Sequence, residues 1–283
     1  MTRLRVDKVI ELPEKLKYLE VDFENFTKED ALLFSNMMPR TLEKIYLHES
    51  SEDAYFVSPP FSIEIHINTF HKNVILNDYE RLEISTLTCE FNDFKRPKFL
   101  AIYYVGKFLT QKLPNSIEHL VLNNVTKLSP GIIPNSVKKL KLNVWSNLDL
   151  KDVIPNSVTR LMLWCGGRVN IENCIPNSVT HLDLVCDSKF KVPQSVTHFK
   201  YHNVDLLETL EMSSVIYLTL IPYSNSTKTF INIPACVIHL KIHGMNFSFK
   251  LKLNNVKFLK LRKGYYEYIK DCISEEVKVS FIK

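Results

Sequence analysis

The sequence predicts a mainly β solenoid with a parallel sheet on one face, about 20 residues per coil, and few short helices. Three observations carry this. A phrase recurs, as Leu113-Pro114-Asn115-Ser116-Ile117-Glu118-His119-Leu120-Val121-Leu122 and again from Pro134, Pro155, Pro176 and Pro193. Apolar residues fall three, six and eight positions after each proline, and the last two share one face of an extended chain. Successive prolines of this block lie 17 to 21 residues apart, the period of stacked coils rather than of independent domains.

Each part of the phrase has a physical role. Proline biases the apolar residue before it towards an extended backbone. Pro-Asn-Ser suits a tight turn, with proline presetting its own φ and the Asn and Ser side chains bonding nearby backbone. The following Val-x-x-Leu-x-Leu alternates as a strand does, and one coil cannot bury that face without neighbours. About nine residues remain before the next pre-proline position, too few for a helix with two turns. The outer side is therefore expected to be irregular or 3₁₀.

The register starts at Pro13 (Leu16, Leu19, Val21) and continues at Pro39 (Leu42, Ile45, Leu47). At Pro60, Ile63 fits but Ile65 and Ile67 need a one-residue deletion. Weaker copies follow at Leu76 (Tyr79, Leu82, Ile84) and Pro97 (Leu100, Tyr103, Val105). After the regular block come Met212 (Val215, Leu218, Leu220), Pro234 (Val237, Leu240, Ile242) and Leu253 (Val256, Leu259, Leu261). A degenerate copy closes the chain with Val277, Val279 and Phe281. Three segments predict helix: Thr27 with Lys28 to Phe34, which opens on a capping residue; Asp205 to Met212; and Tyr265 to Ile273, placed to cover the open end of the sheet.

A single solenoid over residues 1–283 is expected. Residues 1–50 form an N-terminal cap and divergent repeats with a short helix, 51–110 further divergent repeats, 111–262 regular repeats, and 263–283 a C-terminal cap. A 45% apolar and 24% charged composition is that of a folded chain. The net charge of +5 permits an acidic partner but is too mild for a dedicated nucleic-acid binder. The most apolar run, Phe99 to Leu109, falls well short of the roughly 20 residues a membrane helix needs. With no secretory signal in the first residues, a cytoplasmic protein is expected, in the host cytoplasm if viral. The six widely spaced cysteines read as buried thiols in a reducing compartment.

Ile133-Pro134-Asn135-Ser136-Val137-Lys138-Lys139-Leu140-Lys141-Leu142 resembles the core of the FNIP repeat, a family abundant in social amoebae and in giant viruses of amoebae. The resemblance implies a leucine-rich-repeat-like fold. Some members carry an F-box, so it also implies a possible role as a substrate-recognition subunit of a ubiquitin ligase. Leu12-Pro13-Glu14-Lys15-Leu16 superficially resembles an F-box opening, but Pro13, Leu16, Leu19 and Val21 fit the repeat register better. The family's Phe-Asn element is largely missing: Phe190 and Phe230 stand before their prolines without Asn directly after them.

If Leu and Val point inward, positions five, seven and nine after each anchor face solvent. That column reading makes His119, Lys139, Lys141, Arg160, Trp164, His181, His198, Lys200, His202, Tyr217, His239, Lys241, His243, Lys260 and Arg262 the candidate partner-binding residues. They run to basic, whereas the first copies (Tyr18, Glu20, Asp22; Lys44, Tyr46, His48; Arg81, Glu83, Ser85) are mixed or acidic. The partner expected is a protein with an acidic surface; no nucleic acid, membrane or cofactor is expected, and the chain is expected to be a monomer. His181 and His198 share a column, yet two imidazoles are too few for a structural zinc site. No His-Glu-x-x-His, Gly-x-Ser-x-Gly, Walker or dinucleotide motif occurs, so no catalytic residue is assigned.

Overall fold

A computed structural model describes residues 3–48, 53–77, 79–89, 97–105, 109–145, 148–166, 169, 171–187, 190–222, 229–244 and 249–282. Residues 106–108 of the apolar run Phe99 to Leu109 lie outside the described residues. The chain falls into two compact units, Met1–Lys141 and Leu142–Lys283.

The first unit holds β1 (Arg3–Val6), β2 (Tyr18–Val21), α1 (Lys28–Met37), β3 (Lys44–Leu47), β4 (Phe56–Val57), β5 (Ile63–Phe70), β6 (Val74–Ile75), β7 (Tyr79–Leu87), β8 (Phe99–Tyr104) and β9 (His119–Val125). β10 (Lys139–Val144) carries the boundary. Strands β1, β2, β3, β5, β7, β8 and β9 pair in that order, all parallel.

The second unit holds β11 (Arg160–Cys165), β12 (His181–Val185), β13 (His198–Tyr201), a 3₁₀ turn (Val204–Thr209), β14 (Tyr217–Leu220), β15 (Phe230–Ile233), β16 (His239–Ile242), β17 (Lys250–Leu253), β18 (Phe258–Leu261), α2 (Lys263–Ile269) and β19 (Lys278–Phe281). Here β11, β12, β13, β14, β16, β18 and β19 pair in order, again parallel. Each unit is thus a stack of coils that contributes one strand per repeat to a parallel sheet.

The recurrent phrase builds the expected tight turn. In eight coils the proline carbonyl accepts the N–H three residues on: Ile117 at 3.3 Å, Val137 at 3.2 Å, Val158 and Val179 at 3.1 Å, and Leu16, Leu42, Val196 and Val237 at 3.0 Å. Proline therefore opens the turn and the next two residues occupy its centre, Asn and Ser in the copies at Pro114, Pro134, Pro155 and Pro176. In three coils a serine hydroxyl reaches back to the preceding coil instead of closing its own turn. Ser136 donates to the Ile117 carbonyl at 2.7 Å, Ser178 to Val158 at 2.8 Å, and Ser214 to Val196 at 3.1 Å. Next, one carbonyl accepts two consecutive N–H groups of the following coil. Thr180 O takes Thr197 and His198, both at 3.1 Å, and Thr197 O takes Ile216 and Tyr217, both at 3.0 Å. These bonds start every strand at the same height.

Inward Leu and Val form the core: Leu161, Leu182, Phe199, Leu218, Leu240 and Leu259 stack in register and are buried. In the first unit Leu19, Ile45, Ile65, Leu82, Leu100 and Leu120 do the same. The deletion expected after Pro60 is a register shift between Ile63 and Glu64. The Pro97 copy needs correction. Leu100 and Ile102 pair with Leu120 and Leu122, so Pro97 itself fills the buried place three after the anchor, and Tyr103 turns outward, 42% exposed. β1 has no anchor before it and was not foreseen.

α1 forms where its cap predicts: Thr27 Oγ1 accepts from the Asp30 N–H and the Asp30 carboxylate accepts from the Thr27 N–H, both at 3.1 Å. Two short parallel ladders, β4 with β6 and β15 with β17, line the outer side, where irregular chain was expected. The last helix touches the edge strand through Tyr266, which stands edge-on to Phe281 at 5.6 Å. Tyr265 of α2 is buried against Phe249 and donates to its carbonyl at 2.8 Å, while β19 is the sheet's edge. Among the described residues no helix is long and apolar enough to cross a membrane.

Candidate functional site

The outward positions of the second unit assemble a row of stacked rings. His181 lies 4.1 Å from His198 at 11°, His198 4.3 Å from Tyr217 at 8°, Tyr217 4.4 Å from His239 at 16°, and His239 4.5 Å from Phe258 at 5°. The strand registers produce this: Arg160 pairs with His181, His181 with His198, His198 with Tyr217, Tyr217 with His239, His239 with Phe258, and Phe258 with Lys278. Parallel strands lie about 4.8 Å apart, close to the contact thickness of aromatic rings, so an in-register column must stack. A cation stands at each end, Arg160 beyond His181 and Lys278 over the Phe258 ring at 5.8 Å.

Hydrogen bonding favours one tautomer at the head of the row. His181 Nδ1 lies 3.0 Å from Thr180 Oγ1, and His198 Nδ1 lies 3.0 Å from Thr197 Oγ1. Each hydroxyl donates its one proton to a carbonyl of the preceding coil, Thr159 at 3.3 Å and Thr180 at 3.5 Å. The arrangement that makes both contacts of each hydroxyl hydrogen bonds has Nδ1–H donating to it and the lone pair on Nε2. Burial, followed by neighbouring positive charge, pushes both imidazoles below their ordinary pKa, so both are neutral at pH 7. Nearly parallel rings also send these lone pairs side by side rather than towards a common point, the wrong geometry for one shared ion. Among the described residues no group of three metal-ligating side chains occurs.

A second column carries Asp183, Lys200, Thr219, Lys241 and Lys260. Asp183 accepts from Lys200 Nζ at 2.7 Å, and its other oxygen lies 3.1 Å from His202 Nε2. Burial works to raise this carboxyl, but the bonds from His202 and Lys200 outweigh it and hold it below the usual carboxylate range. Trp164 packs edge-on to His202 at 6.3 Å. His243 follows β16, pushed down by burial and by Lys241, Lys200, Arg262 and Lys260. Arg262 leads into α2. Among the described residues no carboxylate pairs with Arg160, Lys241, Lys260 or Arg262, so this face keeps an uncompensated positive charge.

The first unit behaves differently. Glu20 binds Arg3 and His48, Lys44 binds Glu64, and Glu83 binds Arg81, His66 and the Tyr103 hydroxyl. Its expected mixed face is therefore charge-paired. His119 stands edge-on to Phe99 at 4.7 Å, and Arg81 lies over the other ring at 3.6 Å. Burial first, then Lys139 and Arg81, hold the His119 imidazole below its ordinary pKa. Lys139 and Lys141 occupy alternate positions of β10, and Val121, expected outward, is buried beside Ala101.

One prominent residue escaped the column reading. Trp145 is 65% exposed, and its six-membered ring lies against Gly166, where an added Cβ would approach Cζ3 to 2.9 Å. The glycine admits the indole, and the Gly at 166 was the available signal. All six cysteines are free, with Cys165, Cys174 and Cys186 buried; the Cys165 thiol is pushed far up by its bond to Cys186 and by burial. Open depressions occur in both units. One is lined by Arg3, Tyr18, Glu43, Lys44, Tyr46 and Glu64; another, on the turn side of the second unit, includes Asn173, Asn177, Lys191 and Gln194.

The model of the FNIP repeat matches residues 107–145 and 126–166. A solved giant-virus structure, CroV588, described as a novel circular LRR protein structure, is similar over 96% of this chain and 67% of its own. The two share 14% sequence identity and the TM-score is 0.24. No curated protein matches the chain.

Proposed function

We propose that this protein is a non-enzymatic repeat scaffold that binds another protein through the strand face of its second unit, and that the segment it binds is acidic. The stacked row from His181 to Phe258, bracketed by Arg160 and Lys278 and bordered by Lys241, Lys260 and Arg262, is the observation that carries this reading. Aromatic and Arg side chains dominate interface energetics. Stacking also fixes their rotamers beforehand, which lowers the entropy cost of docking. Single-stranded nucleic acid fits less well. It binds by stacking bases on ring faces, and here the inner faces are already covered by neighbouring rings.

Affinity capture from the native cell tests the proposal, wild type against Arg160→Glu/Lys241→Glu/Lys260→Glu/Arg262→Glu. Lys200 is left intact because it pairs with Asp183. The variant should keep its circular dichroism and lose the partner; unchanged capture would refute the basic-face reading. A ligase-receptor role needs a helical recruiting element over Phe23 to Asn36. That stretch contributes one helix between β2 and β3, both strands of the repeat sheet, so nothing favours that reading. The cytoplasm and a monomeric state remain part of the proposal.

A further inference from the structure

We infer that the ring row is a proton-linked carboxylate-binding site: bound carboxylates bring protons onto His181 and His198, so the acidic segment is held more tightly as pH falls from about 7.5 to 6. The inference rests on the strand-face reading above and adds the chemistry of recognition to it.

The argument starts from the threonines. With Nδ1–H committed to Thr180 and Thr197, the neutral imidazoles present Nε2 as an acceptor. No protein group among the described residues bonds these Nε2 atoms. A carboxylate has only acceptors, so against neutral imidazoles it meets lone pair with lone pair. One proton on Nε2 inverts this, giving an outward N–H donor and a full positive charge in one step. Repetition at His181 and His198 turns two adjacent acceptors into two adjacent donors, beside the Tyr217 phenol.

The surrounding charges set the direction. His181 faces Arg160 on β11 and His198 on β13; His198 faces His181 on β12 and Tyr217 on β14. His239 lies between Tyr217 on β14 and Phe258 on β18, and Lys278 covers the far side of Phe258. On the same strands Asp183, Lys200 and Lys241 stand two residues further on, and Asp183 is already neutralised by Lys200 and His202. Without a ligand, the neighbouring cations and part burial oppose protonation. A carboxylate placed over the row supplies the missing counter-charge, so each partner must favour the other.

Full-length protein is titrated with an octa-aspartate peptide at pH 7.5, 7.0, 6.5 and 6.0 and constant ionic strength; aspartate stays ionised over this range. Calorimetry in buffers of different ionisation enthalpy counts the protons taken up. The expected result is about tenfold tighter binding at pH 6.0 with net proton uptake. His181→Gln/His198→Gln should lose both the pH dependence and the proton uptake, with its circular dichroism reporting folding. Binding that is equal at every pH, without uptake, would overturn the proton linkage and leave the acidic-partner reading standing. No binding at any pH would overturn both.

Discussion

The imidazole of His198 lies flat between those of His181 and the phenol ring of Tyr217, 4.1 Å from the first and 4.3 Å from the second. These three residues are 17 and 19 positions apart in the chain and meet because three strands start at one height. The row is thus a direct product of the coil register.

Acid should weaken the fold. The His181, His198 and His243 imidazoles are held below their ordinary pKa, first by burial and then by neighbouring positive charge. As pH falls through about 6.5 the unfolded chain therefore takes up protons first. The stability these groups contribute is full above that value and is lost below it. Asp183, also held below its ordinary value, has the same sign, but its contribution is lost only at lower pH, as the pH falls from the unfolded carboxylate value through the folded one. Thermal melts should show a lower Tm at pH 5.5 than at 7.5, and the difference should shrink in His181→Gln/His198→Gln.

The inter-coil serines should each be worth a hydrogen bond. Ser178→Ala removes the bond to Val158 O and leaves that carbonyl unpartnered by a side chain. Urea unfolding should report a loss of about 1 kcal/mol. Asn177→Ala, at the turn centre, should cost less.

Inward and outward positions of one strand should separate cleanly. Leu182 is buried in register between Leu161 and Phe199, so Leu182→Ala should cost about 2–5 kcal/mol. Lys241→Ala, outward on β16, should stay within about 0.5 kcal/mol in the same urea measurement.

Trp145 should depend on a missing side chain. Gly166→Ala places a methyl where the indole now lies, so the ring must move. In a Trp164→Phe background, the near-ultraviolet circular dichroism of Trp145 should collapse while the far-ultraviolet spectrum stays unchanged.

Much of the fold was legible because burial enforces period two on every coil. Met212 lacks the proline, yet Leu218 and Leu220 still placed β14, and the Ile63 irregularity appears as the expected register shift. Pro97 misled for a physical reason: it fills the inward place three after the anchor, so anchoring on proline slid Tyr103 into the core. β1 has no preceding phrase and could only have been found from the alternation of Leu4 and Val6. The short ladders on the outer side, such as β15 with β17, repeat with the coils, but most of their residues lie before the anchor and outside the phrase that marks the main strands.

The candidate residues were found on the outward side, since side-chain direction follows from strand parity. Their interactions were less visible. Sequence gave His181, His198 and Tyr217 a common column but not their stacking. Nor did it show that Asp183 would neutralise Lys200, or that Gly166 would seat Trp145.

Tautomer-resolved nuclear magnetic resonance of ¹⁵N-histidine protein tests the row most directly. The account predicts that His181 and His198 carry the proton on Nδ1 at pH 7.5 and titrate below 6.5, with pKa values rising when the octa-aspartate peptide is added. Protons on Nε2 at pH 7.5, or titration above 6.5 in the free protein, would contradict it.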